Sequence, residues 1–103
     1  MEFEGEYLNG EKHGLCKEYY KNNKLRLEGE YIYGKRWNIK IYDPITNLTY
    51  ELKKGKGYIK DFDNDGKLRF EGEYLNGERN GKAKEYEYRI LIFEGKYLNG
   101  RRK

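Results

Sequence analysis

The sequence predicts an all-β protein, a solenoid of antiparallel β-hairpins around an aromatic core. Three observations carry the prediction. Apolar and polar residues alternate with period two in several stretches, as in Leu25-Arg26-Leu27-Glu28-Gly29-Glu30-Tyr31, and strict alternation is the signature of a half-buried strand. Asn-Gly follows such stretches at Asn9-Gly10 and Asn76-Gly77, a strong signal for a tight hairpin turn. The composition holds a single Ala but 13 Gly and 12 Tyr, which disfavours helices and supplies turns and rings. With 103 residues the chain makes one small domain. Leu, Ile and Phe total 21 residues and Val is absent, so the tyrosines must provide much of the buried area.

The elements repeat. Phe3-Glu4-Gly5-Glu6-Tyr7-Leu8-Asn9-Gly10 returns as Phe70-Glu71-Gly72-Glu73-Tyr74-Leu75-Asn76-Gly77 and again as Phe93-Glu94-Gly95-Lys96-Tyr97-Leu98-Asn99-Gly100, with a looser copy at Leu27–Gly34. A return strand follows: Gly14-Leu15-Cys16-Lys17-Glu18-Tyr19 matches Gly57-Tyr58-Ile59-Lys60-Asp61-Phe62 and Gly81-Lys82-Ala83-Lys84-Glu85-Tyr86. Lys21-Asn22-Asn23-Lys24 and Asp63-Asn64-Asp65-Gly66 read as the turns between units. Gly5 to Gly29 is 24 residues and Gly72 to Gly95 is 23, but Gly29 to Gly72 is 43. Residues 42–57 hold that irregularity, and Tyr50-Glu51-Leu52 reads as a degenerate Phe-Glu-Gly. The units expected are 3–26, an irregular 27–49, a shortened 50–69, 70–92 and a terminal strand at 93–103.

A glycine inside a strand weakens it unless something approaches the backbone there. Phe70 and Tyr74 flank Gly72 on one face, so a ring from the neighbouring unit is expected to cover the bare backbone.

Phe-Glu-Gly-Glu-Tyr-Leu-Asn-Gly followed by Gly-x-x-Lys-Glu-Tyr, at about 23-residue spacing, resembles the MORN repeat. The resemblance covers 3–41 and 57–103 and is poor over 42–56. It implies an elongated, twisted, single-layer row of antiparallel hairpins. It also implies scaffolding, partner binding or dimerisation, with acidic phospholipid binding in some members and antitoxin-like bacterial relatives. The chain departs from the pattern at Ile39 and Ile41, where glycine would be expected beside Trp37-Asn38.

Little in the sequence suggests catalysis, and no catalytic residue, cofactor or metal is expected. Glu4, Glu28, Glu71 and Glu94 recur in one column, so cross-strand Glu–Lys ladders explain them better than an acid–base pair does. Glu18, Asp61 and Glu85, beside Lys17, Lys60 and Lys84, are assigned to the same ladders. His13 and Cys16 stand three apart and so point to opposite faces of a strand. Cys16 sits in the column of Ile59 and Ala83 and reads as a small core residue; His13 reads as an exposed turn residue. One His and one Cys do not build a zinc site, and there is no Ser to act as a nucleophile.

The lone cysteine fits a reducing compartment. Met1-Glu2-Phe3-Glu4 has neither the basic start nor the apolar run of a signal peptide, so a cytoplasmic protein is expected, with peripheral membrane contact left open. The 22 basic residues are interspersed with 18 acidic ones, a layout that favours protein partners or self-association through sheet edges and disfavours nucleic acid. Acidic lipid remains the electrostatic alternative. Lys96, Arg101, Arg102 and Lys103 form a short basic tail, expected to protect the last strand's edge. Specificity is expected where the repetition breaks, on a surface spanning residues 33–58. Tyr33, Arg36, Trp37 and Tyr42 are the candidate partner-binding residues, because aromatics and Arg dominate interface hot spots. The competing reading is that these rings fill the core of a distorted unit.

Overall fold

The computed structural model describes residues 3–103; Met1 and Glu2, which enter the signal-peptide reading, lie outside the described residues. Ten strands follow one another as a meander: β1 (Phe3–Leu8), β2 (Glu11–Tyr19), β3 (Leu25–Ile32), β4 (Lys35–Tyr42), β5 (Thr49–Leu52), β6 (Gly57–Phe62), β7 (Leu68–Leu75), β8 (Glu78–Glu87), β9 (Ile90–Leu98) and β10 (Arg101–Arg102). All pairings are antiparallel, and no helix forms among the described residues. The Asn-Gly turns are as expected, with positive φ at both positions of each (51° and 81° at Asn9-Gly10, 53° and 77° at Asn76-Gly77).

The expected elongated single layer is not what forms. Two five-stranded sheets, β1-β2-β3-β4-β5 and β10-β9-β8-β7-β6, share one core. The radius of gyration is 13.2 Å, with extents of 33 × 29 × 22 Å. That matches about 13 Å for a compact chain of 100 residues. The row of cross-strand partners explains the break. It runs Gly5-Cys16-Gly29-Ile39-Leu52 in the first sheet and Ile59-Gly72-Ala83-Gly95 in the second. Glycine alternates with a side chain except at the centre, where Ile39, Leu52 and Ile59 follow in succession. Three bulky neighbours need a covering layer, and the chain supplies it by interrupting the ladder between β5 and β6. One bridge, Lys53 to Lys56, survives there. Leu27, Ile41, Leu52, Ile59 and Phe70 are all but fully buried as a result. Each contributes about 1.5–3 kcal/mol over an exposed side chain.

Tyr50-Glu51-Leu52 occupies the rows of Phe3-Glu4-Gly5, as its degenerate match to Phe-Glu-Gly anticipates. The glycine account needs correcting. A Cβ on Gly5 would lie 3.0 Å from the Phe3 ring, and one on Gly95 would lie 3.0 Å from the Phe93 ring. The covering ring is thus the strand's own, two residues earlier, not a neighbouring unit's. Gly5 also faces Cys16, whose Cβ would stand 2.6 Å from a Cβ at 5, and Gly72 faces Ala83 in the same way at 2.7 Å.

Turn backbones stitch the strands into one body at one end. Gly34 N–H donates to the Lys12 carbonyl (2.8 Å), Gly55 to Trp37 (2.8 Å), Gly77 to Gly55 (3.0 Å) and Gly100 to Arg79 (2.9 Å). The Gly77–Gly55 bond joins the two halves of the molecule. At the opposite end Lys21 N–H donates to the Asn64 carbonyl (3.0 Å) and Arg26 to the Asn64 side chain (2.6 Å).

Candidate functional site

Two faces present chemistry, and they differ. The outward face carries rows of alternating charge: Glu4-Lys17-Glu28-Lys40-Glu51 across the first sheet and Lys60-Glu71-Lys84-Glu94 across the second. Register alone opposes each Lys to a Glu. The ladders are exposed and loose, with Lys84 to Glu94 at 3.9 Å, so each pair contributes under about 1 kcal/mol. Shallow grooves of about 570 Å³ beside Lys40, Glu51, Lys53 and Lys54, and about 470 Å³ beside Tyr58, Glu71, Lys84 and Glu94, lie on this face.

The inward face holds a second set of charges that the sequence reading misplaced. Glu18 is 5% exposed and sits among the core residues, not in a surface ladder. It accepts hydrogen bonds from Lys12 (3.3 Å), Arg26 (2.9 Å) and the Tyr31 hydroxyl (2.9 Å). Glu85 likewise accepts from Arg102 and the Tyr97 hydroxyl and pairs with Arg79 at 3.5 Å. Asp61, in the same column, pairs with Arg36 at 2.8 Å. The signal for this is in the sequence: with period two, Cys16, Glu18 and Tyr20 share one face, and Cys16 reads as a core residue.

Burial opposes the charge on Glu18, yet Lys12, the Tyr31 hydroxyl, Arg36 and Arg26 hold its carboxyl below the usual range. Burial likewise opposes Glu85, and Arg102, Tyr97 and Arg79 hold it down. Burial pushes the Cys16 thiol up to about 11, with Glu18 adding to the effect. A protonated, enclosed thiol is a poor nucleophile. His13 lies nearer the fold than an exposed turn residue would. Its Nδ1 accepts the Tyr33 N–H at 3.0 Å, and the two rings stand 4.7 Å apart.

These shifts set a pH profile. A depressed carboxyl stabilises the fold above its unfolded value of about 4.3 and loses that contribution as pH falls. A raised thiol stabilises below its unfolded value of about 8.5 and loses that contribution as pH climbs through the folded value. The urea midpoint is therefore expected to be level from about pH 5 to 8, to fall below about pH 4, and to decline from about pH 9 towards 11. Burial raises the Tyr31 phenol as well, which extends the alkaline loss. A midpoint unchanged at pH 3 would contradict the ionised state of Glu18 and Glu85.

The four candidate binding residues do not converge. Tyr33 sits in the β3–β4 turn with φ of +47° and is well exposed. Arg36 points inward to Asp61, and its Nε donates to the Tyr31 hydroxyl at 3.4 Å. Trp37 is half-buried against Gly55, whose N–H its carbonyl accepts. Tyr42 lies at the far end of β4, five residues and roughly 16 Å from Trp37. Its hydroxyl donates to Glu28 at 3.0 Å, and its carbonyl accepts the Tyr20 hydroxyl at 2.7 Å. The turns bring Tyr33 and Trp37 to the same end of the molecule as the exposed Lys53, Lys54 and Lys56.

Among the described residues no cluster of three His, Cys, Asp or Glu is placed to hold a metal ion, and no helix is long and apolar enough to cross a membrane. The family model for the MORN repeat matches residues 3–24 and 70–86. No curated protein matches the chain significantly, and no solved structure does.

Proposed function

We propose that this chain, a carrier of MORN repeats, is a non-enzymatic scaffold that binds a protein partner, with its surface centred on residues 33–58. MORN repeats are associated with protein and membrane binding. The observation that favours protein is the alternation of charge. Each Lys of the two charge rows is opposed by a Glu, and Lys82 with Lys96, a Lys–Lys pair beside them, is too short a run to make a continuous basic stripe for a polyanion. Tyr33, exposed at the turn, and Trp37, half-buried beside it, are the groups available as anchors. Arg36 enters this surface through the strand it holds in place, and Tyr42 lines its far end through Glu28.

A second reading rests on Lys53, Lys54 and Lys56, exposed together at the β5–β6 turn, which suit an anionic headgroup. Two measurements separate the readings. Vesicles of phosphatidylcholine with phosphatidylserine are expected to leave the chain in the supernatant at physiological salt; sedimentation with them would favour lipid. Affinity capture is expected to recover a protein whose binding weakens by about 2 kcal/mol, roughly 30-fold, on Trp37→Ala. Tyr33→Ala serves as the companion variant, because its exposed ring contributes little to folding. Unchanged binding by both folded variants would remove residues 33–58 as the surface.

A further inference from the structure

The last full strand of the second sheet is an unfilled edge with a legible code. Along β9, Leu98 and Tyr97 pair with Arg101 and Arg102, and the Lys96 carbonyl accepts the Lys103 N–H. Among the described residues, Ile90–Gly95 have β8 on one side and no strand on the other. Ile90, Leu91 and Ile92 are about half exposed or more along that stretch. A bare, apolar strand edge is a template for another strand.

What the edge would accept is specified by the other copies of the same strand. On the corresponding side, Phe3-Glu4-Gly5 faces Glu18, Lys17 and Cys16. Leu27-Glu28-Gly29 faces Ile41, Lys40 and Ile39. Phe70-Glu71-Gly72 faces Glu85, Lys84 and Ala83. A Lys opposes the Glu every time, and a small or aliphatic residue opposes the Gly. The residue opposite Phe3 or Phe70 is an acid that meets a basic residue just past the Asn-Gly turn: Lys12 for Glu18 and Arg79 for Glu85. The equivalent of Lys12 and Arg79 beyond Asn99-Gly100 is Arg102. Arg102 reaches back to Glu85 at 2.9 Å and stacks over Phe93 at 4.4 Å.

We propose that the free edge of β9 binds, by strand addition, an extended peptide segment of a partner protein. The segment reads small-apolar, Lys, acid, aromatic, with its Lys opposite Glu94 and its acid against Arg102. The occupant is not a second copy of this chain. The β5 and β6 edges are turned to each other at the Lys53–Lys56 bridge, and the remaining edges carry Glu4 and Glu94, so pairing β9 with the β1 or β9 of another copy in the native rows sets carboxylate against carboxylate. The site lies outside residues 33–58 and stands whether or not that surface binds anything.

The test uses the full chain and a fluorescein-labelled peptide with the sequence of residues 81–87, Gly-Lys-Ala-Lys-Glu-Tyr-Glu. Anisotropy is expected to show saturable binding, with hydrogen-exchange protection gained at amides within 90–95. Replacing the peptide's Lys opposite Glu94 by Glu, with its acid kept, is expected to weaken binding roughly tenfold. Glu94→Lys is expected to weaken the original peptide by a similar factor and to restore the Glu-substituted one. Glu94 is a safe position, since its contact with Lys84 is long and exposed. No saturable binding, equal binding of both peptides, or protection elsewhere would overturn the proposal. So would sedimentation showing a dimer that protects 90–95 without peptide, which would make a second copy the occupant.

Discussion

Gly29→Ala is expected to cost about 3 kcal/mol or more, whereas Gly10→Ala costs about 1 kcal/mol. Both glycines have positive φ, +145° and +81°, a conformation that strains an L residue by about 1–3 kcal/mol. They differ in surroundings. Nothing lies within 4 Å of a Cβ on Gly10. A Cβ on Gly29 would run into the Asn38 carbonyl oxygen and stand 2.9 Å from Ile39 Cα. Those atoms belong to the β4 backbone, paired to β3 through Gly29–Ile39 and Glu30–Asn38. They retreat only by opening the ladder at the centre of the first sheet, so overpacking adds about 1–3 kcal/mol. For a domain whose whole stability is about 5–15 kcal/mol, that is a large fraction. Thermal melts of the two variants check it; equal shifts would mean that backbone strain alone accounts for the glycine.

Gly29 also shows how far the sequence could be read. Period two and the Asn-Gly turns placed the strands, because both signals are local. The repeated Phe-Glu-Gly placed Glu4, Glu28, Glu71 and Glu94 in the outward rows, because hairpin register fixes which face a residue takes. The break between the sheets was visible only as a spacing of 43 where two units should fit. It falls between Leu52, paired with Ile39, and Ile59, paired with Gly72, residues whose order in the row is known only once the register is. The buried acids were hidden by a different habit of reading. Glu18 follows Lys17, and a Lys-Glu pair looks like surface, but adjacent residues on a strand face opposite ways. The candidate binding residues were gathered by proximity in sequence, and β4 spreads them along its length.

Arg36 is where these points meet, and its removal is expected to cost about 3 kcal/mol of stability. Among the described residues three ion pairs cross between the sheets: Lys21–Asp65, Lys35–Glu78 and Arg36–Asp61. The side chains of the first two are well exposed, at 68% and 52%, and 53% and 33%. Such pairs contribute little. Arg36 and Asp61 are 18% and 17% exposed, and the guanidinium also contacts Tyr31 in the core. Truncating one member of an enclosed pair strands the other without a counter-charge, which typically costs about 3–5 kcal/mol; residual exposure puts Arg36 at the low end. Arg36→Met keeps most of the apolar stem and removes the charge. Adding Asp61→Asn should recover much of the loss, because the stranded carboxylate is then gone. Lys17→Met, in the outward ladder, should cost under about 0.5 kcal/mol. Urea titrations of the four proteins decide it. If Arg36→Met is as mild as Lys17→Met, the guanidinium is not a brace between the halves, and its place is on the binding surface beside Tyr33 and Trp37.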